Sequence, residues 1–118
     1  MAPSSPLPLH VDVVAGLDPA LVRVRGDLDV ASVPVLRAAL APLLHRQIEL
    51  DLTEVSFIDS SGINALLAHL RHCRLAGGDM TVPHASAIVW RLLQIVGVES
   101  LLTHPRKPPE PGGPSTDF

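Results

Sequence analysis

The segment from Gln47 to Gly62 changes its hydrophobic period part-way along, and that change restricts what the chain can fold into. Ile48, Leu50 and Leu52 alternate with Gln47, Glu49 and Asp51, the two-residue period of a strand with unlike faces. After Val55-Ser56-Phe57-Ile58, the residues Ile63, Leu66, Leu67 and Leu70 recur at helical spacing. Asp59, Ser60 and Ser61 therefore fall where a strand has ended and a helix is about to begin. Unpaired backbone N–H groups and the positive end of the helix dipole converge at such a place. Aspartate and serine cap helix starts there, and anions bind there. A serine so placed is open to three readings: a cap, a phosphate-binding group, or the acceptor of a phosphoryl group.

The chain flanking this segment reads as alternating strands and helices. Leu9, Val11 and Val13 alternate with His10, Asp12 and Val14 as a first strand, and Gly16-Leu17-Asp18-Pro19 is turn chemistry. Leu21–Arg25 follows as a second strand, antiparallel to the first because the connection is short. Gly26-Asp27-Leu28-Asp29 closes it. A helix starts near Ser32, a candidate cap, with Pro34 tolerated in its first turn and Pro42 expected to kink or end it. The strand Gln47–Leu52 leads through the central segment into a helix that reaches about Leu75, where Gly77-Gly78 stops it. Asp79–Val82 forms a short strand ended by Pro83. Ser86 is placed to cap a third helix carrying Val89, Leu92, Leu93 and Val96, with Gly97 at its end. Leu101-Leu102 is suited to a last short strand.

These elements predict an α/β fold: an antiparallel pair, then βαβ crossovers, giving a mixed sheet with helices packed on it. Residues 1–6 read as a loose lead-in, 7–104 as one domain, and the proline-rich residues 105–118 as a disordered tail. Aromatics are only 3% of the chain, so the core has to be built from Leu, Val, Ile and Ala. A net charge of -3 and the absence of Tyr leave neither a basic footprint nor a stacking platform for nucleic acid. Cys73 is the single cysteine, which excludes an internal disulfide and fits a reducing compartment. The N-terminus lacks the pattern of an export signal, and no apolar run approaches a membrane span, so a soluble cytoplasmic domain is expected.

Four kinds of chemistry can be weighed on the residues. No phosphate-cradling glycine motif is present, so nothing points to a nucleotide or other cofactor. His69, His72 and Cys73 have a spacing that can share one helix face, but no second metal-ligand cluster accompanies them. Ser60 lacks the Gly-x-Ser-x-Gly elbow that a serine hydrolase of this architecture needs. Asp27, Asp29, Asp51 and Asp59 gather near predicted strand ends, where carboxylates more often cap turns and helices than hold an ion.

Read together, Gly26-Asp27-Leu28-Asp29, Leu50-Asp51-Leu52, Val55–Gly62, Ala76-Gly77-Gly78, Arg91-Leu92-Leu93 and Gly97-Val98 resemble the STAS domain family over residues 7–103. Within it the chain is similar to the bacterial anti-sigma-factor antagonists. The resemblance implies a regulatory switch and not an enzyme. It implies that the unphosphorylated chain binds an anti-sigma factor, itself a serine kinase, and so frees a sigma factor. Phosphorylation of the serine after the motif aspartate, Ser60, separates the pair, and a metal-dependent serine phosphatase reverses it. Asp27 and Asp59 match acidic positions beside the phosphorylation loop. Asp27, Asp29, Asp59, Ser60, Ser61 and Gly62 are thereby the implied partner-contact residues. A proline-rich tail stands where the family commonly has a final helix. A STAS subunit that is never phosphorylated, serving as a scaffold or transport-complex module, is an alternative; such modules often lack the hydroxyl that Ser60 supplies.

Overall fold

The computed structural model describes residues 8–14, 16, 18–98 and 102. Its elements are β1 (His10–Val14), β2 (Ala20–Leu28), α1 (Val33–Leu40) with a 3-10 turn at Ala41–Leu43, β3 (Gln47–Ile58), α2 (Ser60–Leu75), β4 (Asp79–Ala85) and α3 (Ala87–Val96). The four strands form one sheet in the order β1-β2-β3-β4. β1 runs antiparallel to β2, while β2–β3 and β3–β4 are parallel. The mixed sheet expected from the sequence is thus present. Val22, Val24 and Leu28 of β2 and Ile48, Leu50, Leu52, Val55 and Ile58 of β3 share one aliphatic core with Leu36, Leu40, Leu66, Leu70, Val89 and Leu93 from the helices. The helices therefore cover one face of the sheet. The other face stays open and polar, with Arg23 beside Asp51 at 3.7 Å and Arg25 beside Asp12 at 3.9 Å.

Several boundaries differ from the sequence expectation, each for a physical reason. β2 does not close at Arg25; parallel pairing with β3 carries it on to Leu28. Gly26 permits this, because its φ of +104° is costly for other residues and a Cβ would collide with the Pro8 carbonyl. β3 likewise runs past Leu52 to Ile58. Pro83 does not stop β4, which continues to Ala85; β4 is an edge strand, where a missing N–H can face away from the ladder. Pro42 ends α1 early, as expected, by turning the chain into the 3-10 segment. Leu102 is helical and fully buried, so no final strand forms there. The other half of that expectation, Leu101, the lead-in 1–6 and the tail 105–118 lie outside the described residues.

The helix stops follow the sequence. After α2, the Gly77 N–H bonds the Arg74 carbonyl and the Gly78 N–H bonds the Cys73 carbonyl, at 3.4 and 2.8 Å, with Gly77 at φ +94°. Gly97 ends α3 in the same left-handed conformation, at φ +77°. The cap serines do not behave as expected. Ser32 precedes α1 without capping it, and its hydroxyl donates to the Asp27 carbonyl at 2.8 Å. Ser86 precedes α3, and its hydroxyl donates to the Val55 carbonyl at 2.8 Å. Both pin a helix entry to a strand carbonyl.

α2 is more buried than its sequence suggested. His69 and Cys73 point inward while His72 is exposed, so the three do not share an outward ligand face. Burial pushes the Cys73 thiol up to about 11, which keeps it un-ionised. His69 is only 7% exposed, and its Nε2 is buried without a hydrogen-bond partner. Burial, reinforced by His72, lowers its pKa from the ordinary 6.5. A histidine whose folded pKa is depressed favours unfolding as it takes up a proton in the unfolded chain, so its stability contribution is full above 6.5 and is lost as pH falls below that value. The substitution His69→Leu, which removes the unpaired nitrogen, is expected to stabilise the fold by about 1–2 kcal/mol at pH 7. It should also flatten the loss between pH 7 and pH 5. Urea unfolding of both proteins across that range checks this; parallel curves for parent and variant would contradict it.

Candidate functional site

The site lies on the edge of the sheet where β2 and β3 end side by side. Leu28 pairs with Ile58, and the next N–H of the chain, that of Asp59, bonds back to the Leu28 carbonyl at 3.4 Å. This bond aims the start of α2 across the end of β2. Asp59 is extended, at φ -121° and ψ -172°, and its carboxylate accepts the Gly62 N–H at 3.1 Å. Asp59 is therefore the N-cap, the role its position suggested. Its carbonyl accepts the Ile63 N–H at 3.0 Å, starting the helical ladder.

Ser60 is the first residue of α2 and is exposed. Because Asp59 already caps the helix, the Ser60 hydroxyl bonds no other described residue. The N–H groups of Ser60 and Ser61 also have no acceptor among the described residues. Ser61 is half-buried beside it. Gly62 is buried and could be nothing else, since a Cβ there would lie 2.6 Å from the Leu28 carbonyl oxygen and 2.8 Å from Ile58 Cγ1.

The four aspartates that the sequence gathers near strand ends divide into two groups. Asp27, Asp29 and Asp59 all come to this edge. Asp27 is half-buried on β2 opposite Phe57. Asp29 begins the turn to α1, with its carboxylate accepting the N–H groups of Ala31 and Ser32, each at 3.1 Å. Asp51 does not belong with them. It stands mid-strand on the open face, where a hydrogen bond from the Thr53 hydroxyl, helped by Arg23, holds its carboxyl below the usual carboxylate range. Among the described residues no three His, Cys, Asp or Glu side chains converge to hold a metal ion. Among the described residues no histidine is hydrogen-bonded to Ser60 to serve as a base. Chemically, the site offers a reachable hydroxyl, an anion-tolerant helix start and a rim of carboxylates. Exposed Phe57 and Val30, which the sequence did not single out, complete its surroundings.

A family model described as Mlab, STAS domain matches residues 11–103, and the chain belongs to the STAS domain family. Over 96 residues it is 30% identical to the anti-sigma-B factor antagonist of Bacillus subtilis (strain 168), covering 80% of this chain and 88% of that protein. The solved structure of the anti-sigma factor antagonist SpoIIAA in its unphosphorylated form is similar with a TM-score of 0.62 at 22% identity, over 81% of this chain and 85% of that one. The Bacillus cell fate determinant SpoIIAA in the phosphorylated form is similar with a TM-score of 0.60 at 20% identity, over 80% of this chain and 89% of that one.

Gly62 is the position on which the geometry of this edge is most exposed to test. Gly62→Ala must push α2 away from Leu28 and Ile58, an overpacking expected to cost about 1–3 kcal/mol. Chemical unfolding measures it. A loss below about 0.5 kcal/mol would mean the helix start is not seated on the Leu28 carbonyl.

Proposed function

We propose that this chain is an anti-sigma factor antagonist, and that its affinity for the anti-sigma factor is set by phosphorylation of Ser60. The observation that carries this reading is the Ser60 hydroxyl itself, exposed and unbonded one residue after a cap that does not need it. A kinase can reach such a group without unfolding anything. The partner is an anti-sigma factor that is also an ATP-dependent serine kinase, and a serine phosphatase restores the binding form. Nothing in this role needs a cofactor or chemistry by the chain itself, and it belongs in the cytoplasm. The named role of the Bacillus subtilis relative supports the reading, as does the existence of a similar fold in both phosphorylated and unphosphorylated forms.

Energetics favour a switch that acts at the interface and leaves the fold alone. A phosphoserine adds about -1.5 to -2 charges. At a helix start such an anion gains about 0.3–1 kcal/mol, which the neighbouring Asp59 carboxylate offsets by a similar amount. Against a partner the same dianion, among Asp27, Asp29 and Asp59, meets like charge from ATP phosphates. Unfavourable charge placement in an interface costs several kcal/mol, roughly a hundredfold or more in affinity. The alternative, a STAS scaffold or transport-complex module that is never phosphorylated, fits less well, because such modules often lack the hydroxyl that Ser60 supplies.

Incubation with the cognate kinase and ATP is expected to give a single phosphoserine at Ser60. Peptide mass spectrometry that found phosphate on Ser4, Ser5 or Ser115 and none on Ser60 would overturn the assignment. In calorimetric titration against the kinase with ADP, Ser60→Ala should bind like the parent and stay bound in the presence of ATP. Ser60→Asp should bind about a hundredfold more weakly while melting at nearly the same temperature. Tight binding by Ser60→Asp, or binding lost only through unfolding, would contradict the interface mechanism.

A further inference from the structure

β3 carries more residues than the strand it pairs with. Val22 pairs with Leu50 and Leu28 with Ile58, so the seven residues of β2 between these limits face nine of β3. The register slips twice, between Arg23 and Arg25 and between Gly26 and Asp27. Each slip sets two exposed residues in succession, Thr53-Glu54 and then Ser56-Phe57, before burial resumes at Val55 and Ile58. Strict alternation after Val55 would bury residue 57 and expose residue 58. The second bulge does the reverse: Ile58 enters the core and Phe57 turns out to the helix-free face, where it is 44% exposed. Bulges of this kind recur beside functional sites because they re-aim a side chain.

Phe57 is not alone on this surface. It lies opposite Asp27 in the ladder. Val30, 72% exposed, stands on the turn that leaves β2 at the same edge. Next to Phe57 in sequence, Ser56 joins Pro8, His10, Arg25, Gly26 and Glu54 around a shallow recess of about 260 Å³. Phe57 and Val30 thus stand at the edge to which Asp27, Asp29 and Asp59 bring their carboxylates, which suits a basic partner surface on that side, while Arg25 lines the recess on the other.

We propose that Phe57 is an anchor for the same anti-sigma factor that Ser60 controls, so that the partner grips the helix-free face of the sheet as well as the start of α2. This rests on the function proposed above. The partner's surface should offer an apolar socket flanked by Lys or Arg. Continuity argues for one partner. Three residues of chain put Phe57 within about 11 Å of Ser60, whereas a standard interface covers about 800 Å² on each side, a patch of roughly 16 Å radius. A protein seated on Ser60 covers Phe57 too, and exposed aromatics at the centre of such patches carry most of the binding.

The test titrates each purified anti-sigma factor kinase of the host, with ADP, into the parent, Phe57→Ala, Phe57→Leu and Val35→Ala. Val35 is a control: an apolar side chain, 47% exposed, on α1. Phe57→Ala is expected to weaken binding about 30-fold, with Phe57→Leu intermediate and Val35→Ala within about twofold. In steady-state kinetics Phe57→Ala should raise the kinase's KM for the chain and leave kcat nearly unchanged, while its urea-unfolding midpoint stays close to the parent's, which excludes a folding defect as the cause. Binding of Phe57→Ala equal to the parent would overturn this inference alone. So would a change confined to self-association in analytical ultracentrifugation, or to binding of anionic vesicles. Failure of the parent to bind any of the kinases would overturn the functional reading and this inference with it.

Discussion

The first turn of α2 rests on one atom, the carbonyl oxygen of Leu28, and the working edge of the protein depends on that contact. The oxygen accepts the Asp59 N–H at 3.4 Å and leaves no room for a side chain at residue 62. Because Leu28 and Ile58 are paired neighbours buried in the core, the contact joins the ends of two strands to the start of a helix. The helix start therefore inherits the rigidity of the sheet. A modifiable group on such a support presents one geometry to a partner, which a loop of similar length does not.

Rigidity here is bought with aliphatic packing and almost nothing else. The core is Leu, Val and Ile with one Met and one Cys, and the single Trp is only half-buried. Two ion pairs, Arg23–Asp51 and Arg25–Asp12, lie on the open face, where exposed pairs contribute about 0–1 kcal/mol each; a third, Arg74–Asp79 at 3.0 Å, ties the end of α2 to the start of β4 away from the site. Stability and signalling thus occupy different sides of the molecule. A dianion added at Ser60 changes a surface already in water, and the core that holds the fold is untouched.

What could be read from the sequence was whatever leaves a local mark. Alternation at Gln47–Leu52, the stripe on α2, the glycine stops at residues 77, 78 and 97, and the boundary position of Asp59 and Ser60 all do so. The bulges in β3 do not, because β3 itself carries neither glycine nor proline; they arise from pairing with a strand some thirty residues earlier in the chain, where Gly26 stands at the second slip. Pro83 misled for a related reason: a proline is a strand breaker only where its N–H would be needed, and edge position is a property of the sheet. Ser32 and Ser86 looked like caps, but nearby strand carbonyls offered their hydroxyls a better acceptor. Asp51 was expected near a strand end, and the length of β3 places it mid-strand instead.

The division of labour between Asp59 and Ser60 explains why the motif needs both residues in that order. A helix start demands an acceptor for its free N–H groups, and whichever side chain provides it becomes tied into the backbone. If a serine met that demand, its oxygen would be turned inward and engaged, and phosphorylation would break the cap that the helix relies on. With the carboxylate of Asp59 taking the Gly62 N–H, the next hydroxyl is released from structural duty while remaining at the positive end of the helix. The carboxylate has a second consequence. It sets a negative charge beside the acceptor, so the dipole's attraction for a phosphate is largely cancelled and neither state of Ser60 is strongly preferred by the fold itself. A residue balanced in this way leaves the choice between states to the enzymes that add and remove the phosphate.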